Sequence, residues 1–223
     1  MLYYAPGITS DDYDPSQDFE VFRKRSEACI LAPAKALAES EDTGLAVLAL
    51  ATLLVQPVGF LSAVLLDTKR KNNEQEFVDG FCSICPAVPG SVDPKIEGKK
   101  TYKVLRNGLY HEGFIKHGLV IRSQEVPVLV LSGVICVEPK RFLGAVESAF
   151  FAICDQIQKD PAARIRFSER MQSSHQRPDL VNLVKVEDLT SASSLSPSAS
   201  SALTATPPDK ATQNSIRVRY DAV

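Results

Sequence analysis

The chain contains no tryptophan, and only 11 of its 223 residues are glycine. Fibrous and glycine-rich classes do not fit that composition. An excess of charge of either sign is also missing. Lys and Arg number 25 against 27 Asp and Glu, a formal net charge of −2, so any polyanion site has to be a local patch. The five cysteines are odd in number and irregularly spaced, which argues against a secreted disulfide framework. The opening stretch Met1-Leu2-Tyr3-Tyr4-Ala5-Pro6-Gly7 has neither a basic n-region nor an apolar h-region. No signal peptide is expected, and the setting read from this is reducing and cytoplasmic. Walker A, G-x-G-x-x-G, G-x-S-x-G and H-E-x-x-H patterns are all lacking, which removes the commonest nucleotide, hydrolase and zinc-protease signatures.

What is present suffices for a core, with 44% hydrophobic residues. Residues 17–40 carry helix formers with Phe19, Phe22, Ile30 and Leu37 as core candidates. Ser16 is expected to cap this helix, and Pro33 to kink or divide it. Residues 43–66 predict a second, very apolar helix and 74–85 a shorter third one, followed by a loop over 87–98 marked by Pro89, Gly90 and Pro94. A fourth helix is expected over 99–113, where Tyr102, Leu105 and Leu109 recur at three and four residues. The period then changes. Residues 119–121 and 126–137 are rich in Val, Ile and Leu, with Ser132-Gly133 as a turn, and predict a small hairpin or meander. Glu138-Pro139 opens a long last helix through Ile157, with a shorter one following to about Met171.

The fold expected is mainly α, a bundle of four to five helices with a small β-hairpin insertion and a disordered C-terminal tail. Its divisions are an extension at 1–16, a helical domain at 17–175 and a flexible Ser/Ala/Pro-rich tail at 176–223. From Thr190 to Thr212 only Asp209 and Lys210 are charged and little apolar surface is present, too little to offset the entropy of ordering. Residues 215–220 alternate apolar and basic, either a strand able to join a sheet edge or a frayed end. The run at 43–66 has no charge between Asp42 and Asp67 and is long enough for a bilayer core of about 30 Å. Gln56-Pro57 at its middle and the lack of a Trp or Tyr belt favour a buried core helix over a membrane span.

The chemistry concentrates in Leu105-Arg106-Asn107-Gly108-Leu109-Tyr110-His111-Glu112-Gly113. On a regular helix Asn107 and His111 share a face, so the amide can orient the imidazole. Gly108 removes bulk, and Gly113 ends the helix, placing His111 where the helix dipole favours imidazolium. An imidazole beside a permanent cation suits phosphodiester cleavage. Arg106-Asn107, three residues and His111 resemble the R-N-x-x-x-H signature of the HEPN superfamily of helical bundles, known from bacterial toxins and defence ribonucleases. The order of helices over residues 17–160 is similar as well.

The resemblance implies a metal-independent endoribonuclease without cofactor, working on RNA in a toxin or antiviral defence system. It implies a homodimer joining two motifs at one cleft, and an antitoxin or defence-system protein as a further partner. Arg106 would clamp the phosphate, His111 would transfer the proton, and Asn107 would orient His111 or bind a phosphate oxygen. Lys103, Tyr110, Lys116 and His117 are candidates for RNA binding by proximity. The alternative is a non-catalytic HEPN-like dimerisation or partner-binding module, and a third reading is a single-span membrane protein.

Other clusters read as structural. Cys82-Ser83-Ile84-Cys85 has metal-ligand spacing but no second pair, so buried free thiols and no metal are expected. His175 reads as part of a solvated linker, and Arg164, Arg166 and Arg170 as a mixed charged helix face rather than an RNA-binding stripe. The tail composition makes a direct prediction. Deleting residues 190–214 should leave the thermal midpoint nearly unchanged in calorimetry, whereas a fall of many degrees would mean that the segment is docked.

Overall fold

The computed structural model describes residues 3–5, 8–9, 14–69, 72–108 and 118–175, and helices dominate it. The expected tail lies outside the described residues. A short antiparallel pair, β1 (Tyr3–Ala5) and β2 (Ile8–Thr9), precedes the helices. The Asp14 carboxylate accepts the Ser16 N–H at 2.9 Å and its carbonyl accepts the Gln17 N–H at 2.8 Å. Together they nucleate the 3-10 turn Pro15–Gln17 ahead of α1 (Asp18–Ser26). The entry is therefore held by Asp14, not by the expected Ser16 cap.

α1 passes without a break through a π-turn (Glu27–Leu31) into α2 (Ala32–Ala38). Pro33 explains the wide turn. Its ring would crowd the carbonyl of Cys29 in a regular helix. Widening the turn, with the Ala32 N–H donating to the Glu27 carbonyl, lets the chain continue. Of the expected kink or division at Pro33, no division occurs, and the helix changes pitch locally in the turn before it.

α3 (Gly44–Leu65) is long and apolar enough to cross a membrane by length and composition, and half of its most apolar window is buried inside the chain. Val47, Leu48, Leu54, Val55, Val58, Leu61 and Val64 are almost fully buried, packed by α4 (Asn73–Ile84) and α6 (Pro139–Lys159). The Asn72 side chain caps α4 by accepting the Gln75 N–H at 2.9 Å.

α3 and α4 cross backbone to backbone. A Cβ on Gly59 would run into the carbonyl oxygen of Glu76, and one on Gly80 into that of Val55. Only glycine permits this approach, since the next larger side chain already overlaps main-chain atoms that cannot swing away.

β4 (Val128–Leu131) and β5 (Val134–Val137) form the expected hairpin around Ser132 and Gly133, whose φ values are 50° and 81°, as a tight right-twisted turn requires. β3 (Leu119–Ile121) departs from a meander. It pairs in parallel with β5, giving the order β3-β5-β4. The Arg122 N–H donates to Val137 and the Glu138 N–H to Pro127, both at 3.0 Å, so residues 122–127 pass over the end of β5. β4's outer edge is covered where the Val130 N–H donates to the Pro89 carbonyl at 2.8 Å.

α6 starts at its Glu138 cap, whose carboxylate accepts the Arg141 N–H. α7 (Pro161–His175) starts at Asp160, which accepts the N–H groups of Ala162 and Ala163 at 2.9 and 3.2 Å. Helix continues through His175, beyond the expected end, so His175 is not in a linker. Arg166 and Arg170 turn towards α3 instead of forming a plain charged face. Arg166 Nε donates to Val64 at 2.9 Å, and Arg170 Nη2 donates to Thr68 at 2.6 Å, satisfying carbonyls left over at a helix C-terminus. Arg164 is exposed. Phe167 anchors the helix, with its ring 5.3 Å from Phe19, 5.4 Å from Phe22 and 5.8 Å from Phe60.

The glycine crossing has a measurable consequence. Gly59→Ala and Gly80→Ala should each destabilise the fold by about 3 kcal/mol, the upper range for overpacking. Urea unfolding followed by circular dichroism checks this, and a change under about 0.5 kcal/mol would contradict the close approach.

Candidate functional site

The Arg106-Asn107 motif sits at the end of a helix that starts earlier than expected. α5 (Pro94–Thr101) opens on Asp93, whose carboxylate accepts the Lys95 N–H at 2.9 Å. Pro94 occupies the first turn, where proline's missing N–H costs nothing, so the expected loop ends at Asp93. The helix then widens into a second π-turn, Tyr102–Arg106, closed by the Asn107 N–H donating to the Tyr102 carbonyl.

Burial divides this rod in two. Glu97, Gly98, Thr101, Leu105 and Gly108 are buried. Gly98 lies on the Phe81 ring of α4, where an added Cβ would stand 3.2 Å from the ring. Tyr102 meets Phe77 edge to face at 5.3 Å, so this tyrosine serves packing. The buried Glu97 carboxylate accepts from Ser91 Oγ at 3.1 Å and from Lys100 Nζ at 3.2 Å, tying the preceding loop to α5. Gly108, read from the sequence as clearing space for a second helix or a ligand, is buried within the chain's own packing.

The opposite face is basic. Lys95, Lys99, Lys100 and Lys103 are exposed, and Arg106 and Asn107 are half-buried. Lys95, Lys99 and Lys103 recur every four residues, about 6 Å of rise per step along a regular helix. None of these three is paired with a carboxylate among the described residues. They form a file of cations leading to Arg106. Of these lysines only Lys103 was expected as a binding residue. Lys99 lies four residues before it within the expected helix, and the file extends back to Lys95 once Pro94 is taken as a helix start.

The structure places Arg106, Asn107 and Lys103 together on this rod. His111, Tyr110, Lys116 and His117 lie outside the described residues. Arg106 itself engages in an interaction, and the π-turn shifts it from the position that regular helix geometry assigns.

The two cysteines of the pair differ in burial. Cys85 is buried and Cys82 half-buried. Burial pushes the Cys85 thiol up to about 12, and Cys154 likewise up to about 12. Desolvation also raises Cys82, though without so large a shift. Metal ligation needs the thiolate, and no group of three or more His, Cys, Asp or Glu side chains suited to a metal occurs among the described residues.

No family model, curated protein or solved structure matches the chain. Its mainly helical fold with a three-stranded sheet is therefore assigned from the structure alone.

Thiol chemistry tests the burial pattern. In native protein at pH 8, Ellman's reagent should react first with the exposed Cys29, while Cys85, Cys136 and Cys154 should react only on unfolding. A thiol whose folded pKa is raised stabilises the fold below its unfolded pKa, and that contribution fades as pH climbs towards 12. Alkaline titration of stability should therefore show a decline above about 9, the ordinary thiol value. Fast labelling of Cys85 in folded protein would contradict this.

Proposed function

We propose that this chain is a metal-independent endoribonuclease of HEPN type, acting on RNA as a cytoplasmic homodimer within a toxin or antiviral defence system. The observation that carries the reading is the exposed file Lys95, Lys99, Lys103 ending at Arg106-Asn107. A polyanion laid along the file would deliver a phosphate to the arginine at its end, with counterion release driving the association. A π-turn at Arg106 agrees with the frequent use of such turns at functional sites.

The chemistry follows from what RNA supplies. Its 2′-hydroxyl attacks the adjacent phosphorus and the bond to the 5′-oxygen breaks, leaving a 2′,3′-cyclic phosphate and a 5′-hydroxyl. One imidazole accepts the 2′-hydroxyl proton, and a second, from the other copy's His111, protonates the leaving 5′-oxygen. Such proton transfer is worth typically about 10²–10⁴-fold. Arg106 holds the non-bridging oxygens as charge builds on the phosphorane, through charge-assisted hydrogen bonds. Asn107 orients His111 or takes a phosphate oxygen. An antitoxin or defence-system protein would bind this same basic face.

Cleavage of mixed RNAs by purified protein tests the reading. His111→Ala and Arg106→Ala should each abolish cutting without loss of fold. Arg106→Lys should recover only part of it, since lysine lacks the planar fork. EDTA should not inhibit, and replacing the scissile 2′-hydroxyl by hydrogen should block cleavage there. Neutralising Lys95, Lys99 and Lys103 together should mainly raise KM. It should also lower the slope of log K against log salt by about 0.7 for each phosphate that the variant no longer neutralises. If wild-type protein binds RNA with a steep salt slope but never cuts it, the non-catalytic HEPN-like module replaces this reading.

A further inference from the structure

A π-turn and two other helices border one cavity. The π-turn of the first helical rod contributes Cys29 and Ile30, α3 contributes Leu54 and Pro57, and the end of α7 contributes Met171 and Gln172. The cavity holds about 460 Å³, within the range of small-molecule sites. Its wall is mostly apolar, with Val21 and Phe22 from α1 closing one side. The π-turn at Glu27–Leu31 borders the cavity through Cys29 and Ile30, and Pro57 borders it from α3.

Polar groups reach the cavity at a few points. Ser26 lines it while only 5% exposed. Arg25 also lines the cavity, is exposed, and forms no ion pair with a described residue. Among the described residues Asp18 is the only acidic group of the lining. It stands seven residues before Arg25, about 10 Å away along the helix, and is already engaged in an interaction of its own. The cavity thus offers an apolar interior, one exposed cation without an ion-pair partner among the described residues, and a serine in its wall.

We propose that this cavity binds an amphipathic monocarboxylate. Its hydrocarbon chain lies among Phe22, Ile30, Leu54, Pro57 and Met171. Its carboxylate takes two charge-assisted hydrogen bonds from the Arg25 guanidinium, and the Ser26 hydroxyl donates to the same group. A neutral alcohol of equal length fills the interior but leaves Arg25 without its partner, and an alkylammonium ion is repelled there. The site is independent of the RNA-cleavage reading, because none of its lining residues belongs to α5.

Isothermal titration of the full chain with decanoate, decanol and decylamine tests the proposal. Decanoate should bind at least about tenfold more tightly than decanol, and decylamine should not bind. Arg25→Gln, at an exposed position, should fold normally and reduce decanoate affinity about tenfold while leaving decanol unchanged. Saturating decanoate should slow iodoacetamide labelling of Cys29 at the cavity wall, and Cys29→Trp should block binding. Equal affinity for decanoate and decanol, unchanged affinity in Arg25→Gln, or no binding of decanoate would each overturn the proposal.

Discussion

The contact of α3 with α4 at Gly59 and Gly80 fixes much of the remaining geometry. Because each glycine rests against a carbonyl of the other helix, the two axes come closer than side chains would allow. The short separation presents Phe77 and Phe81 of α4 as a fully buried platform. Tyr102 packs on Phe77 and Gly98 on Phe81, so α5 is seated directly on that platform. Its inward face is spent on packing, and its lysines are left facing water. The direction in which Arg106 is offered therefore traces back to two missing side chains on other helices.

Local signals in the chain are informative where an element's character is set by its own residues. The apolar continuity of 43–66 and the capped amphipathic run after Glu138-Pro139 mark α3 and α6 closely. Signals fail where one residue type admits two local solutions. Pro94 reads as loop by composition, yet at the first turn of a helix it is harmless. Pro33 reads as a break, yet a π-turn absorbs it. The parallel pairing of β3 with β5 depends on a crossover that no period of three residues encodes. Arg166 and Arg170 look like surface charge until the end of α3 lies against them, about a hundred residues distant in sequence.

The candidate site is legible in part for the same reason. Arg106, Asn107 and Lys103 stand out by identity and spacing, and the structure sets them on one helical rod. Lys95 is hidden because its membership of that rod depends on where the helix begins, and Lys99, inside the expected helix, is not singled out by its own identity. The cavity beside Ser26 is not legible at all. It lies where α1 with its π-turn, α3 and α7, all distant in sequence, come together, and no single stretch of sequence carries that information. The chain thus separates two surfaces, a basic one on α5 and an apolar recess under α1 and α7.

The central claim is that the exposed face of α5 is where RNA lies. Photocrosslinking of full-length protein to a 4-thiouridine-substituted single-stranded RNA, with the linked residues mapped by mass spectrometry, addresses it most directly. The account predicts adducts concentrated between Lys95 and His117 and competed away by unlabelled RNA at low salt. Adducts confined to other surfaces, such as the β3-β5-β4 sheet or α7, would contradict it.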